Sequence, residues 1–348
     1  MNKAPIFLIG VARSGNTLLS TLLDNHPELF FSPVSRGFPF AHLSNLVMQN
    51  LSYRSDCRQS SLVERMLAEL CDKKHTAVFA RDADAASIED MGAFLTEQMA
   101  AEARQHGKVH FGDKCTDLLD LLPKVSLMFP QSRFIHIIRD GRAVAMSTAN
   151  RRHVPLKLAI QNWKRLILQG RIDGHFLGPG RYFEVTYERL VSEPETVTGE
   201  ILQFLDLPFP REMLNLRSHK DTEHKDAYVQ GEFVQDKIHA WKKKLSAKQI
   251  RELERIAGDV LQDLGYPLQE MPAEGPFEGL SPLRVLWLKQ LDAFKNLTRR
   301  TQMVMLERRL IPVKQPFFGR IRKFLATTSN LWLGEHLVEQ GRKRPKLL

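Results

Sequence analysis

Ile6-Phe-Leu-Ile-Gly-Val-Ala-Arg-Ser-Gly-Asn-Thr17 is the stretch that decides the fold. It begins with four apolar residues and then turns at a glycine, which is typical of a buried strand that enters a loop. Gly10 and Gly15 keep the spacing of an ATP-binding phosphate loop, and Thr17 keeps its hydroxyl. The amphipathic run over residues 17–23 predicts a helix whose N-terminal N–H groups face an anion. We therefore expect a phosphate-binding loop between a strand and a helix.

This loop lacks the lysine of an ATP-binding loop. Asn16 stands where that lysine would reach the β- and γ-phosphates, and the nearest cation is Arg13. The loop is therefore expected to bind phosphate, but not a triphosphate with its metal. The alternative is an ordinary strand–turn–helix junction, because glycine-rich turns are common in α/β proteins.

A second motif, Arg133-Phe-Ile-His-Ile-Ile-Arg-Asp-Gly-Arg-Ala-Val-Ala-Met-Ser147, is another apolar strand followed by a helix. Arg139 closes the strand, and Ser147 follows about two helical turns later. Arg151 lies at i+4 from Ser147 and so on the same helix face. Two guanidinium groups and a hydroxyl at the end of a strand suit a dianionic phosphate monoester.

Together the two motifs resemble the nucleotide site of the sulfotransferases that use 3′-phosphoadenosine 5′-phosphosulfate (PAPS). Within that superfamily the chain is most similar to the protein-tyrosine sulfotransferase branch and its bacterial relatives, over about residues 5–270. The resemblance implies that the loop binds the 5′-phosphosulfate, that the strand-end Arg and the helical Ser bind the 3′-phosphate, and that a Tyr lies near the adenine. The implied PAPS-binding residues are Arg13, Ser14, Gly15, Asn16, Thr17, Arg139, Ser147, Arg151 and Tyr187.

The chemistry of sulfonate transfer and the resemblance together indicate catalytic roles for two cations. Arg13 would stabilise the charge on the sulfonate oxygens during transfer. The stretch Phe111-Gly-Asp-Lys-Cys-Thr-Asp117 falls where the family has a functional Lys, so Lys114 would act on the leaving phosphate oxygen. The alternative for Lys114 is a solvated charge at the end of a strand.

The general base is where the chain departs from the family pattern. The tyrosine-sulfating branch has a Glu shortly after the His-Pro phrase of its first helix, and here Pro33 and Val34 stand there. The small-molecule branch has a His two residues after its Lys, and here that position is Thr116.

Three residues are candidate substitutes for the missing base. Asp113 and His110 are expected to flank the same strand end as Lys114, and His153 follows the helix of the second motif. Each also has a structural interpretation. Asp113 would pair with Lys114, His110 would point into the core, and His153 would lie on the surface.

Strand-like and helix-like segments alternate along the chain, which predicts a P-loop α/β fold with three layers, a parallel sheet flanked by helices. Ligands then bind at the carboxyl ends of the strands, where both motifs lie. The expected strands are residues 6–11, 109–112, 134–138 and 182–186, and the expected helices include residues 118–129 and 156–172.

We expect a sulfotransferase domain over residues 1–270 and a C-terminal extension over residues 271–348. A largely helical insertion at about residues 36–107 would cover the acceptor site, as would the loop over residues 217–237. These two segments are where acceptor specificity is expected, although polar composition is also typical of solvated loops.

The extension is strongly basic. The whole chain carries a net charge of +10, whereas residues 284–348 hold fifteen Lys/Arg against four Asp/Glu, a net +11. Basic helices with an apolar face suggest contact with an anionic membrane surface. Packing on the catalytic domain or on a second subunit is the alternative, and no motif for nucleic-acid recognition accompanies the charge. The apolar face begins with Leu283, Trp287, Leu291, Phe294 and Leu297.

The remaining signals concern metals and location. The twelve His and three Cys residues form no pattern typical of a metal site, so no metal is expected. The sequence shows no secretory signal and no apolar run of transmembrane length. Unpaired-looking Cys57, Cys71 and Cys115 fit a reducing compartment. We expect a cytoplasmic enzyme, peripheral to the inner membrane face.

These patterns predict a PAPS-dependent sulfotransferase that moves a sulfonate to a hydroxyl, or alternatively an amine, of a lipid, glycan, peptide or small metabolite. Two other classes stay open. A P-loop kinase would bind ATP and Mg²⁺, with Asp140 as the carboxylate sought after the second strand. A non-catalytic scaffold would bind nucleotide or membrane without turnover.

Overall fold

A computed structural model describes residues 4–31, 88–114, 116–216, 235, 238–272, 277–288 and 290. Most of the expected helical insertion and of the loop over residues 217–237 lie outside the described residues, as does the tail from residue 291. Cys57, Cys71, Cys115, Pro33 and Val34 also lie outside them.

Within the described residues, five parallel strands form one sheet with helices on both faces, which confirms the predicted α/β fold. The strand order is β2-β3-β1-β4-β5. The first strand is central because all four of its residues are apolar and buried. The strands are β1 Ile6–Ile9, β2 Leu29–Phe31, β3 His110–Lys114, β4 Arg133–Ile138 and β5 Tyr182–Thr186.

In the part of the chain that the structure describes, α-helices connect successive strands and continue after the last one. In chain order they are α1 Asn16–Asp24, α2 Ile88–Gln105, α3 Leu122–Met128, α4 Gly141–Arg152, α5 Leu156–Leu177, α6 Tyr187–Ser192, α7 Pro194–Phe204, α8 Ala240–Lys244 and α9 Ala247–Asp263. Short 3₁₀ turns cover Thr116–Asp120 and Arg211–Leu214.

Two details differ from the sequence-based expectation. The helix expected over residues 118–129 is a 3₁₀ turn followed by α3, because Pro123 in the first turn of α3 has no N–H for a longer helix. The strand β2 was not predicted, since its three residues, Leu29–Phe31, are too few to show a period.

The two faces of the sheet build two separate cores. Alternate residues of β1 point to opposite faces, so Phe7 belongs to the core that also holds Trp163 of α5, while Leu8 belongs to the core that also holds Leu19 of α1. Because all five strands are parallel, their carboxyl ends meet at one edge of the sheet. The loop after β1 and the bend after β4 therefore lie side by side.

The described residues also bear on the expected membrane contact. No helix among them is long and apolar enough to cross a membrane. Leu283 and Trp287, the first two members of the predicted apolar face, are 79% and 54% exposed. The other three members lie outside the described residues, and the membrane contact stays a prediction.

Candidate active site

The loop after β1 closes on one carbonyl oxygen. The backbone N–H of Ser14 and the side-chain Nδ2 of Asn16 both donate to the oxygen of Val11, at 3.1 and 3.0 Å. Asn16 is buried, so its side chain faces the loop interior. Asn16, which replaces the expected lysine, thus supports the loop through its side chain. Its backbone N–H lies at the start of α1, where it can face an anion.

Two positions of the loop require glycine because neighbouring residues approach the backbone too closely for a Cβ atom. A Cβ on Gly10 would lie 2.6 Å from the carbonyl oxygen of Ile137 on β4. Gly15 has φ +102°, and a Cβ there would lie 2.5 Å from the ring of Tyr187. The spacing that identified the loop in the sequence therefore reflects contact with β4 and α6.

Arg13 joins the first motif to the second. Its φ of 77° is left-handed, which costs free energy for a non-glycine residue and is typical of functional sites. Its Nε donates to Ser147 Oγ at 3.0 Å, and its carbonyl oxygen accepts a hydrogen bond from Arg139 Nη1 at 3.2 Å. The structure thus brings Arg13 of the first motif into contact with Arg139 and Ser147 of the second, as expected if the two motifs form one nucleotide site.

Arg139 stacks on an aromatic ring beneath the loop. Its guanidinium carbon lies 4.0 Å from the ring centroid of Tyr187, and Arg139 is 7% exposed. Tyr187 is fully buried and packs in the core that also holds α1. The ring of Tyr187 thus contacts Gly15 and the guanidinium of Arg139. Its position near the adenine stays a prediction.

Lys114 reaches the loop from β3. Its Nζ donates to Thr17 Oγ1 at 3.1 Å, so a second cation lies beside the first turn of α1. Asp113 is buried, and its Oδ1 accepts a hydrogen bond from the backbone N–H of Lys114 at 2.8 Å. Because neighbouring strand residues point to opposite faces, Asp113 lies at the same strand end but on the other face of the sheet.

His110 does not flank this strand end, and that expectation was wrong. It is the first residue of β3, whereas Lys114 is the last, and at about 3.3 Å per residue the two are roughly 13 Å apart. His110 instead lies beside Glu28, with Nε2 3.9 Å from the carboxylate. His153 ends α4 with φ 57° and is exposed, as its structural interpretation stated.

Arg151 lies in the last turn of α4, one turn beyond Ser147, and is exposed. The structure keeps both residues on the helix that follows the bend at Arg139. A direct contact of Arg151 with the nucleotide stays a prediction.

Sequence reasoning assigned no role to Glu188 and Tyr266, which also belong to this site. Glu188 Oε1 accepts the backbone N–H of Asp140 at 3.1 Å, and Glu188 Oε2 accepts the hydroxyl of Tyr266 at 2.8 Å. Burial raises the pKa of both groups, and for Tyr266 the neighbouring Glu188 raises the pKa further. No local pattern reveals these contacts, because their partners are distant in sequence.

A buried ion pair fixes the start of α4. Asp140 accepts hydrogen bonds from the backbone N–H and the guanidinium of Arg142, and Arg142 Nη1 also binds Glu254 at 2.6 Å. The guanidinium stacks 4.1 Å from the ring of Trp241. Among the residues that the structure describes, no group of three or more His, Cys, Asp or Glu could hold a metal ion.

Residues 5–211 match the family described as "Sulfotransferase family". The chain is 27% identical over 271 residues to protein-tyrosine sulfotransferase 2 of Gallus gallus, covering 75% of this chain and 66% of that protein. It is 28% identical over 211 residues to protein-tyrosine sulfotransferase of Drosophila melanogaster, covering 59% of this chain and 38% of that protein. The chain thus spans less than two thirds of the length of these two relatives.

Among solved structures, the sulfotransferase domain from the Synechococcus PCC 7002 olefin synthase aligns with a TM-score of 0.51 and 21% identity. The alignment covers 77% of this chain and 97% of that domain. The sulfotransferase domain from the curacin biosynthetic pathway aligns with the same TM-score and 19% identity, covering 77% of this chain and 99% of that domain. At these identities the likeness shows the shared fold.

Proposed function

The chain belongs to the sulfotransferase family, and we propose that it transfers the sulfonate of PAPS to a hydroxyl group, or alternatively an amine, and releases adenosine 3′,5′-bisphosphate. The observation that supports this proposal most strongly is that three cationic side chains surround the loop after β1. Arg13 lies within the loop, Arg139 binds its backbone, and Lys114 reaches its first helical turn from β3. Such spread positive charge suits a nucleotide with phosphate or sulfonate groups at both the 3′ and 5′ positions.

The donor set of the site fits such a ligand. Ser14 Oγ is buried and, among the described residues, has no hydrogen-bond partner, so it can donate to an anion bound in the loop. The first N–H groups of α1 add donors that no helical carbonyl satisfies. Thr17 and Ser147 contribute hydroxyls that already contact Lys114 and Arg13.

When bound, PAPS supplies an activated sulfonate whose leaving group is a phosphate oxygen. In our proposal Arg13 stabilises negative charge on the sulfonate oxygens, and Lys114 stabilises or protonates the leaving oxygen. Arg139, Ser147 and Arg151 bind the 3′-phosphate. Of the candidate bases, Asp113 lies at the same strand end as Lys114 and stays the candidate to test.

A kinase function is less well supported by this arrangement. Asn16 holds the loop by its bond to Val11, so α1 offers no cation in the position that a kinase loop fills with lysine. Asp140, the carboxylate considered for a magnesium ion, is bound by Arg142 through both oxygens. A non-catalytic scaffold is consistent with the same nucleotide contacts. A measurement of turnover distinguishes such a scaffold from an enzyme.

We propose a hydroxyl acceptor because the relatives are named for the sulfation of tyrosine, a hydroxyl-bearing side chain. The residues proposed to cover the acceptor, in the segments 36–107 and 217–237, lie mostly outside the described residues. Acceptor identity is therefore a question for assay. The acceptors to compare are tyrosine-containing peptides, glycans, lipids and small metabolites.

Thermal unfolding in the presence of nucleotides separates the two enzyme classes. We expect adenosine 3′,5′-bisphosphate to raise Tm without Mg²⁺, since a ligand that binds only the folded state stabilises it. ATP with Mg²⁺ should raise Tm less. Stabilisation by ATP and Mg²⁺ alone would overturn the proposal in favour of a kinase.

Turnover separates an enzyme from a scaffold. ³⁵S-labelled PAPS is incubated with extracts of each acceptor class and with a tyrosine peptide, and labelled product is counted. We expect product with the natural protein and its loss in Arg13→Ala and Lys114→Ala. Binding of PAPS with no product from any extract would support the scaffold instead.

A further inference from the structure

The peptide unit that joins Arg139 to Asp140 is held at both of its polar atoms. Its carbonyl oxygen, on Arg139, accepts a hydrogen bond from the indole Nε1 of Trp163 at 3.2 Å. Its N–H, on Asp140, donates to Glu188 Oε1 at 3.1 Å. Because a peptide unit is planar, two bonds from opposite sides fix its orientation, and with it the backbone from which the Arg139 side chain departs.

Trp163 and Glu188 approach this peptide from different elements. Trp163 lies on α5 and is fully buried, and its ring packs so closely on α4 that a Cβ on Gly141 would lie 2.5 Å from it. Glu188 lies on α6, next to the ring of Tyr187 on which the Arg139 guanidinium stacks. The same short helix therefore contacts both the backbone and the side-chain end of Arg139.

Glu188 is itself oriented by the segment after α9. Tyr266 donates its hydroxyl to Glu188 Oε2 at 2.8 Å. The segment is anchored directly after that contact, since Glu254 accepts backbone N–H groups from residues 269–271 and Arg142 Nη1 donates to the oxygen of Pro267 at 2.9 Å. Tyr266 therefore has a fixed position from which to hold the carboxylate.

These contacts have a consequence for the nucleotide. Charged hydrogen bonds to phosphate are strong only when donor and acceptor are aligned, and a side chain that is already aligned loses less entropy on binding. Arg139 is aligned through its peptide by Trp163 and Glu188, and through its guanidinium by Tyr187 and the oxygen of Arg13.

We propose that Glu188, oriented by Tyr266, is a positioning residue that aims Arg139 and so sets the preference of this protein for a nucleotide with a 3′-phosphate. This inference rests on the proposed function, in which Arg139 binds the 3′-phosphate. Glu188 and Tyr266 do not contact the reacting atoms. They act through the peptide at Arg139, and their effect falls on the discrimination between nucleotides.

The test is a pair of dissociation constants measured by titration calorimetry on the full chain. One ligand is adenosine 3′,5′-bisphosphate and the other is adenosine 5′-phosphate, which lacks the 3′-phosphate. Tyr266→Phe deletes the hydroxyl bond to Glu188, and we expect the ratio of the two constants to fall about fivefold, the effect of one lost hydrogen bond. The affinity for adenosine 5′-phosphate should stay within twofold.

Tyr182→Phe is the matched control. Its hydroxyl likewise donates to a glutamate, Glu184 Oε1 at 2.9 Å, and it also lies 2.6 Å from His136 Nδ1. Tyr182 lies at the amino end of β5, away from the bend. Thermal unfolding shows whether the two variants lose similar stability. A general loss of structure would lower both affinities together, whereas positioning lowers the ratio in Tyr266→Phe alone.

Glu188→Gln keeps one carboxamide oxygen that can accept from the N–H of Asp140. The ratio of the two dissociation constants should therefore fall less in Glu188→Gln than in Glu188→Ala. A ratio within twofold of the natural protein in both Tyr266→Phe and Glu188→Ala would overturn the inference while leaving the proposed function in place. An equal fall in Tyr182→Phe would also overturn it. If the natural protein binds neither nucleotide, the proposed function fails and this inference with it.

Discussion

The bend at Arg139 and the strand end at Lys114 lie on either side of β1, and they are built differently. Arg139 is 7% exposed, stacked on Tyr187, and held through its peptide by residues of α5 and α6. Lys114 is half-buried and extends to the hydroxyl of Thr17. The Arg139 guanidinium is thus held by several buried contacts, whereas the Lys114 ammonium lies in a more accessible position.

From this difference we infer separate tasks for the two regions within the proposed function. A buried, preformed guanidinium suits the binding of a group that does not change during the reaction. A more accessible ammonium suits an atom whose charge develops during the reaction. We therefore expect substitutions at the bend to change nucleotide affinity, and substitutions at the strand end to change turnover.

Lys114→Met should give the largest effect. It removes the charge but keeps much of the side chain, and we expect kcat to fall by about 10²- to 10³-fold, as when a charge-stabilising donor is lost. The dissociation constant of adenosine 3′,5′-bisphosphate should change less than threefold. Initial rates with labelled PAPS and titration calorimetry measure the two quantities. Lys114→Arg is the control that keeps the charge. An equal loss of affinity and kcat in Lys114→Met would contradict the distinction between the two regions.

Arg139→Ala should weaken the binding of adenosine 3′,5′-bisphosphate by about 30-fold. This corresponds to about 2 kcal/mol for hydrogen bonds to a charged group. Arg139→Lys keeps a charge but loses the planar stack on Tyr187, so an intermediate affinity is expected. If Arg139→Ala weakens the binding of adenosine 5′-phosphate as much as that of the bisphosphate, then Arg139 supports the loop through its bond to the oxygen of Arg13 and does not bind the 3′-phosphate.

The same contrast explains what could be predicted from the sequence. The loop, β1, β4 and the cations at their ends follow from short-range patterns, since two glycines and a strand-end Arg are enough to place them. The proximity of Arg13 and Ser147 could be inferred because parallel strands end at one edge. The register of the strand carrying Lys114 was less clear, and His110 was therefore placed at the wrong end of β3.

Long-range support could not be predicted. The hydrogen-bond partners of Glu188 and Tyr266 are decided by how α6 and the segment after α9 meet at the bend after β4. The inward position of Asn16 depends likewise on the carbonyl of Val11. Residue type and spacing indicate which groups carry charge, whereas packing decides which of them are fixed.

Ser147→Ala should have a smaller effect than either cation. It removes the hydroxyl that accepts from Arg13 Nε, and one hydrogen bond to a charged group is worth about 1.5 kcal/mol or less when water can replace it. We expect the affinity for adenosine 3′,5′-bisphosphate to fall about fivefold, measured by calorimetry. Ser20→Ala on α1, whose hydroxyl binds only its own helix backbone among the described contacts, is the control. A loss of kcat with unchanged affinity would assign Ser147 to the Lys114 region.

His110→Gln should have the smallest effect, and it tests where the active site ends. His110 lies at the amino end of β3, about four residues of strand from Lys114, so kcat and nucleotide affinity should stay within twofold of the natural values. Asp113→Asn, at the carboxyl end of the same strand, is the comparison variant, and it should lower kcat more than His110→Gln does. A tenfold loss in His110→Gln without loss of thermal stability would mean that the acceptor is bound along the length of β3. The strand-end division between binding and turnover would then have to be replaced by a site that extends across the sheet.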